Sequence, residues 1–220
     1  MIDPLDRAVR DRWLAVTTAS VADAVDRVIR RRGFMAAEIK PLAPVRIVGP
    51  AVTVLERRSL EAHPPRHALD AIDEAPPGSI IVIATDDPEA ARDVALWGGL
   101  MTVAAVTRGL GGVVLDGGVR DAEEIRREGL AVFARSVVPS TTVGRYATVA
   151  RDIPVVCGGV PVHPGDIVVG DGDGVVVVPR EAAAEVLAAA EQIEQAERAV
   201  AQRIREVGSI RRAVEEFARI

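Results

Sequence analysis

The sequence predicts an α/β protein, a single domain with a central β core, helices outside it and a long carboxy-terminal helix. Three observations predict this. Two short apolar runs, SIIVIAT (79–85) and GVVLDG (112–117), fit strands buried on both faces. Helical patterns alternate with them, as in βα units. A third stretch, IPVVCGGVPVHPGDIVVGDGDGVVVVP, strings short β segments between glycine turns and leads into a long alanine-rich helix.

In order along the chain, the first 40 residues read as helical. SVADAVDRVIRRRG puts Val21, Ala24, Val25 and Val28 on one face, with Thr18 or Ser20 available as a cap and Gly33 as a stop. VRIVGPAVTVLE reads as a strand broken at Gly49-Pro50. A polar stretch, RRSLEAHPPRHALDAIDEAPPG, then connects to the strand at 79–85. DPEAARDVALWGGLMTVAAVTRG is a helix candidate, interrupted or begun at Gly98-Gly99. The strand at 112–117 is followed by the helix DAEEIRREG, and AVFARSVV is a further strand. Turns are placed at Gly158-Gly159, Pro164-Gly165 and Gly172 to Gly174. No repeat or long linker divides the chain, so residues 1–220 form one domain. Residues 1–45 are its helical amino-terminal part, and the helices of 180–220 carry enough apolar surface to suit oligomer contacts as well as packing on their own domain.

Composition narrows the function. A net charge of -5 without a basic block, and aromatics at 3%, argue against nucleic acid as a ligand. No apolar run reaches the roughly 18 residues that span a bilayer, and the charged start MIDPLDRAVRDRW is no signal peptide. With one cysteine, Cys157, a reducing, cytoplasmic setting fits. Lys40 is the sole lysine, and it precedes Pro41 in an extended context with no basic cluster around it. An imine mechanism is therefore disfavoured.

The stretch VVLDGGVRDAEEI (113–125) ends a strand on glycines and then sets Arg120 beside Asp121. The plain reading is a βα loop with Asp121 capping the next helix. The functional reading uses the same geometry, since such loops bind ligands at the carboxyl ends of strands. Arg120 offers a planar charged fork for a carboxylate, and Asp121 offers hard oxygen to Mg²⁺. LWGGLMTVAA (96–105) is either a closely packed helix start or an anion site built from free amides at Gly99 to Met101. Asp166, Asp171 and Asp173 lack calcium-loop spacing and read as turn residues. His63, His67 and His163 show no metal spacing, and Cys157 reads as a buried small hydrophobe.

Taken in order, SVADAVD, IKPLAPVRIVGPAVTV, ALWGGLMTVAAVTRGLGGVVLDGGVRD, the β-rich stretch to Pro179 and the long helix after it resemble a known family. It is the family that holds 4-hydroxy-4-methyl-2-oxoglutarate (HMG/CHA) aldolases and the regulator of ribonuclease activity A. The spacing from the Gly-Gly helix to the Asp-Gly-x-x-Arg-Asp loop is its most specific part. The resemblance implies a fold like the swivelling phosphohistidine β/β/α domain, in trimers or hexamers with sites at subunit interfaces. It implies that Asp121 binds Mg²⁺ or Mn²⁺, mostly through water, and that Arg120 holds pyruvate and its developing enolate. The pyruvate carboxylate would lie on the backbone of Gly98, Gly99, Leu100 and Met101. The chain departs from the pattern at Gly99, where aldolase members commonly carry an acid. A glutamate from a neighbouring subunit's late helix supports the metal; Glu197 matches it best, with Glu194 and Glu191 close by.

The expected function is thus a divalent-metal-dependent class II aldolase or lyase. It would release pyruvate from a 4-hydroxy-2-oxo acid such as 4-hydroxy-4-methyl-2-oxoglutarate, or from oxaloacetate by decarboxylation. No histidine falls in the motif segments, which leaves metal-held water as the proton carrier. Two alternatives stay open: a non-catalytic regulator that binds an RNA-processing enzyme, and another enolate-forming lyase or isomerase.

Overall fold

The computed structural model describes residues 5–217. Its first two helices are set by their caps. Helix α1 (Arg7–Ala15) begins at Asp6, whose carboxylate accepts from the Ala8 N–H, and α2 (Thr18–Ile29) begins at Thr17, which accepts from Ser20. The cap is thus one residue ahead of Thr18, and α2 ends at left-handed Arg30 rather than at Gly33. Val21, Ala24 and Val25 are its buried face, the stripe that the spacing predicts. Beyond Arg30 the amino-terminal part is extended rather than helical: Phe34 bridges to Val176, and Lys40–Pro41 forms strand β1.

After β1 come β2 (Ile47–Arg58), α3 (Arg66–Glu74), β3 (Ile80–Thr85), β4 (Ala95–Trp97), α4 (Gly99–Thr107), β5 (Gly112–Leu115), β6 (Gly118–Val119), α5 (Ala122–Glu128), β7 (Val132–Ala134), β8 (Ser136–Val137), β9 (Tyr146–Arg151), β10 (Val155–Cys157), β11 (Val160–Val162), β12 (Ile167–Asp171), β13 (Gly174–Val178), α6 (Ala183–Val207) and α7 (Ile210–Phe217). The main sheet runs β1-β7-β5-β3-β2-β12-β13, with β9 beside the second half of β2. Strands β2, β3, β5 and β7 are parallel, while β1, β9, β12 and β13 join antiparallel. A small parallel sheet, β4-β6-β8, flanks it, and β10-β11 is a hairpin.

Alternation along the strands builds three apolar layers. Val52, Val54, Ile81, Ile83 and Val113 face Ala68, Ile72, Ala105 and Ile125 of helices α3, α4 and α5. Their neighbours Ala51, Ile80, Val82 and Val114 face the β10-β11 hairpin together with Val168, Val175 and Val177. The intervening residues Ile167, Val169, Val176 and Val178 pack on α1, α2 and the first half of α6. With both faces buried, β13 carries valine at every position after Gly174 and β12 is apolar from Ile167 to Val169, each such side chain contributing about 1.5–3 kcal/mol.

Three expectations shift. Strand β2 runs unbroken through Gly49-Pro50: Pro50 ends the ladder to β12 and precedes the ladder to β3, where a missing N–H costs least. The polar stretch after β2 contains α3, whose buried stripe is Ala68, Ala71 and Ile72. AVFARSVV is two strands parted at Arg135, which turns inward to pair with Asp116. Among the described residues no helix is long and apolar enough to cross a membrane.

Candidate active site

Two chain segments meet at the ends of the small sheet. Strand β4 ends at Trp97, Gly98 is extended, and α4 starts at Gly99. The Trp97 indole donates to the Thr102 hydroxyl at 2.8 Å, and that hydroxyl donates to the Gly98 carbonyl, which fixes the first turn of α4. The second segment leaves β6 and lies against the first, with the Arg120 N–H donating to the Trp97 carbonyl at 3.1 Å.

Asp121 adopts a left-handed conformation, φ 59° and ψ 36°. An aspartate tolerates this better than most residues, but it is uncommon and marks a constrained position. The side chain does not cap α5. It turns back across the junction, and Oδ2 accepts from the Gly99 N–H at 2.9 Å while lying 3.5 Å from Arg120 Nε. Its Oδ1 has no hydrogen-bond partner among the described residues.

Arg120 and Asp121, both partly exposed, line an open cleft of about 380 Å³ together with Val137, Val138 and Pro139. Beyond Asp121, the Arg120 guanidinium has one further hydrogen-bond partner among the described residues, the Ser140 carbonyl at 3.4 Å. The wall that carries Pro139 and Ser140 is tied down at two points. Ser140 Oγ donates to the Asp93 carbonyl and accepts from the Ala95 N–H. Further on, Thr142 donates to buried Glu56 at 2.7 Å. Burial pushes Glu56 up to about 7, with the Thr142 hydrogen bond opposing, and Glu56 Oε1 has no hydrogen-bond partner among the described residues.

The amino terminus of α4 opens beside this cleft. Thr102 is the first helical N–H to bond within the segment, to Gly98, and no side chain caps the helix from Gly98. Among the described residues the Leu100 and Met101 amides have no hydrogen-bond acceptor, while Gly99 has given its N–H to Asp121. Leu100 itself is 87% exposed, so solvent reaches the helix start.

Among the described residues no group of three His, Cys, Asp or Glu side chains converges as a metal site. What one chain offers is a pair: Asp121 and, one helical turn on, Glu124. A Cβ built on Gly99 would lie 2.3 Å from Glu124 Oε2, so that carboxylate rests on the glycine. An all-oxygen set with one or two carboxylates suits a hydrated hard cation such as Mg²⁺. No motif in the sequence marks Glu124; its i,i+3 spacing from Asp121 is the available signal.

The remaining candidates lie elsewhere. Glu197 lines a separate groove with Asp23, Arg27, Ala196 and Val200, and makes no hydrogen bond or ion pair among the described residues. Glu194 accepts from Thr17 and Ser20, and Glu191 pairs with Arg12. Lys40 donates to the Asp173 carbonyl, far from the cleft lining. Asp171 binds Thr18 and the Asp173 N–H, while Asp166 accepts from the His163 and Arg180 amides, so both brace turns. Asp116, at the head of the motif loop, is buried against Arg135 at 2.7 Å and accepts from the Gly158 N–H. Burial, followed by the charge of Asp116, pushes the Cys157 thiol well up, as for an inert core residue.

With this geometry in hand, comparison with known proteins places the chain. A family model described as RraA-like, Aldolase/RraA, matches residues 18–177. The protein named "Putative 4-hydroxy-4-methyl-2-oxoglutarate aldolase" from Halalkalibacterium halodurans is 32% identical over 174 residues, covering 77% of this chain and 75% of the relative. Protein DlpA of Legionella pneumophila is 33% identical over 175 residues, 77% of this chain, and the match spans only 27% of that longer protein. The solved structure of Streptomyces coelicolor RraAS2, described as an unusual member of the RNase ES inhibitor RraA protein family, superposes with a TM-score of 0.82. That match is 27% identical and covers 90% of this chain and 99% of the other. The chain belongs to the Aldolase/RraA family.

Proposed function

We propose that the protein is a divalent-metal-dependent carbon–carbon lyase. It cleaves 4-hydroxy-2-oxo acids such as 4-hydroxy-4-methyl-2-oxoglutarate to pyruvate, and decarboxylates oxaloacetate. The observation that carries this reading is a cleft lined by Arg120 and Asp121, with the amino terminus of α4 held beside it by the hydrogen bond from Gly99 to Asp121.

Cleavage of either substrate leaves negative charge on the oxygen of a pyruvate enolate. In this reading the Leu100 and Met101 amides orient the substrate carboxylate, aided by the positive end of the α4 dipole. Arg120 faces the 2-oxo oxygen and stabilises charge as it develops there. Asp121 Oδ2 is spent on holding the Gly98-Gly99 backbone in place, which leaves Oδ1 to hold Mg²⁺ or Mn²⁺. Such an ion would supply Lewis-acid polarisation of the 2-oxo group.

The test is pyruvate release from oxaloacetate and from 4-hydroxy-4-methyl-2-oxoglutarate in a coupled assay, with Mg²⁺, with Mn²⁺ and with EDTA. Turnover should require the metal. Arg120→Ala should lower kcat about 100-fold, the equivalent of roughly 3 kcal/mol for one lost oxyanion donor; near-normal turnover of that variant would remove Arg120 from this role. A second reading, a regulator that binds an RNA-processing enzyme, is supported by the likeness to RraAS2. Absence of turnover on both substrates under all three conditions would favour it, or another enolate-forming reaction.

A further inference from the structure

We propose that Glu56, buried behind the cleft, is a positioning residue for Arg120: through Thr142 it fixes the wall whose Ser140 carbonyl meets the guanidinium. The kinetic arm of its test rests on the lyase reading above, and the structural arm does not.

Val52, Val54 and Glu56 alternate along β2, and all three are buried, so an acid stands where the strand's pattern calls for a third apolar side chain. Its neighbours in register are Thr85 on β3 and Thr148 on β9. Thr85 Oγ1, like Glu56 Oε1, is buried without a hydrogen-bond partner among the described residues, and Thr148 Oγ1 accepts from the His67 N–H. Glu56 is instead held by Thr142, itself buried, which donates to Oε2 at 2.7 Å. A buried acid with one donor for two oxygens costs stability, so what it holds gives it its purpose. Residues 138–145 join no strand and lead from the cleft lining back to β9. Within them Pro139 lines the cleft, the Ser140 carbonyl accepts from Arg120 at 3.4 Å, and the Thr142 carbonyl accepts from the Arg145 and Tyr146 N–H groups. Three consecutive residues, 140 to 142, thus connect Glu56 to the Arg120 guanidinium.

A dependence on protons follows. Burial raises the Glu56 carboxyl to about 7, and the Thr142 hydrogen bond opposes. The charged and titratable groups around it are Arg58 on β2, Asp86 and Asp87 after β3, Tyr146 on β9, His67 on α3 and Arg145 beside the turn. Arg58 pairs with Asp87 at 3.6 Å, Arg57 lies 4.0 Å from Asp86, and the Tyr146 hydroxyl donates to the Asp87 carbonyl. Those groups are engaged with one another at the rim. A neutral Glu56 carboxyl fits its place, whereas an ionised one lacks donors and draws in water. Strand β2 is paired to β3 and β9 on its two sides at Glu56 and holds its course. The 138–145 segment has no such ladder, so it is the part that yields, and Arg120 loses its rest.

The structural arm is amide hydrogen exchange of the whole protein at pH 6 and pH 8, corrected for the intrinsic rates, comparing residues 138–146 with the core strand β3. In the wild type, protection of 138–146 should fall about 10-fold at pH 8 while β3 keeps its own. Glu56→Gln should show no such fall. Thr142→Val, which lacks the hydroxyl, should exchange at pH 6 as the wild type does at pH 8, and Thr142→Ser should restore most of the protection. The kinetic arm is pyruvate release from 4-hydroxy-4-methyl-2-oxoglutarate: kcat/KM of the wild type should be about 10-fold lower at pH 8 than at pH 6, and this step should be missing in Glu56→Gln. Matching pH responses of 138–146 in the wild type and Glu56→Gln, or protection lost equally in β3, overturn the proposal and leave Glu56 a stability group. Wild-type protein without turnover defeats the lyase reading, and the exchange arm then decides this one by itself.

Discussion

Asp121 concentrates several functions in one residue: a left-handed backbone, a hydrogen bond across the site and a second carboxylate oxygen without a hydrogen-bond partner among the described residues. Two substitutions separate them. Asp121→Asn keeps a residue that tolerates positive φ and an oxygen that can accept from Gly99. Its stability should fall by less than about 1 kcal/mol in urea unfolding, while metal-dependent pyruvate release drops at least about 100-fold. Asp121→Val puts a β-branched side chain at the same φ and should cost about 1–3 kcal/mol in stability as well. Equal activity loss with equal destabilisation in both variants would make the backbone, not the charge, the source of the effect. At this scale the sequence was informative. Adjacent residues such as Arg120-Asp121 and Gly98-Gly99 stay adjacent in any fold, and their turn chemistry is local. Glu124 escaped notice because its meaning depends on Gly99, which is distant in sequence.

Elements carry the next consequence. Strand β2 delivers Glu56 into the interior, where it accepts the Thr142 hydrogen bond that anchors the cleft wall. Burial lifts this carboxyl from 4.5 to about 7. Folding therefore takes up a proton across that window, so stability should decrease as pH rises through it, by up to roughly 3 kcal/mol. Glu56→Gln keeps an acceptor for Thr142 and cannot ionise. Its melting temperature should exceed that of the wild type at pH 8, and the difference should vanish below about pH 5. Parallel pH profiles for the two proteins would sink the assignment. The same strand shows why its course was misread. Gly49-Pro50 is a strong local break signal, yet β2 changes partners there, so the proline sits where neither ladder draws on its missing N–H.

At the scale of the molecule, the distal half of α6 presents an apolar face. Its first half is buried on the domain, whereas Ala196, Val200, Ala201 and Ile204 form an apolar groove against Asp23 and Arg27 of α2. Glu197 stands in this groove without a partner among the described residues, and it does not line the cleft of Asp121 within one chain. If subunits meet on this face, sedimentation should show an assembly for the wild type. Val200→Arg should then shift it toward smaller species, because a buried unpaired charge costs several kcal/mol, and pyruvate release should fall in step. A wild type that sediments as a monomer would leave Glu197 without a route to the site.

What the sequence by itself determined was much of what local pattern carries. It specified the α/β class, the buried strands at 80–85 and 112–115, the glycine turns between the β10 to β13 strands, the long carboxy-terminal helix and the Arg-Asp loop. Those follow from side-chain periodicity and backbone preference over a few neighbouring residues. Tertiary structure alone decided which of several acids share a place. It buried Asp116 on Arg135, spent Asp171 on α2, and brought Glu124 over Gly99. Charge and hydrogen bonding act through space over a few ångströms, and only the packed chain sets those distances.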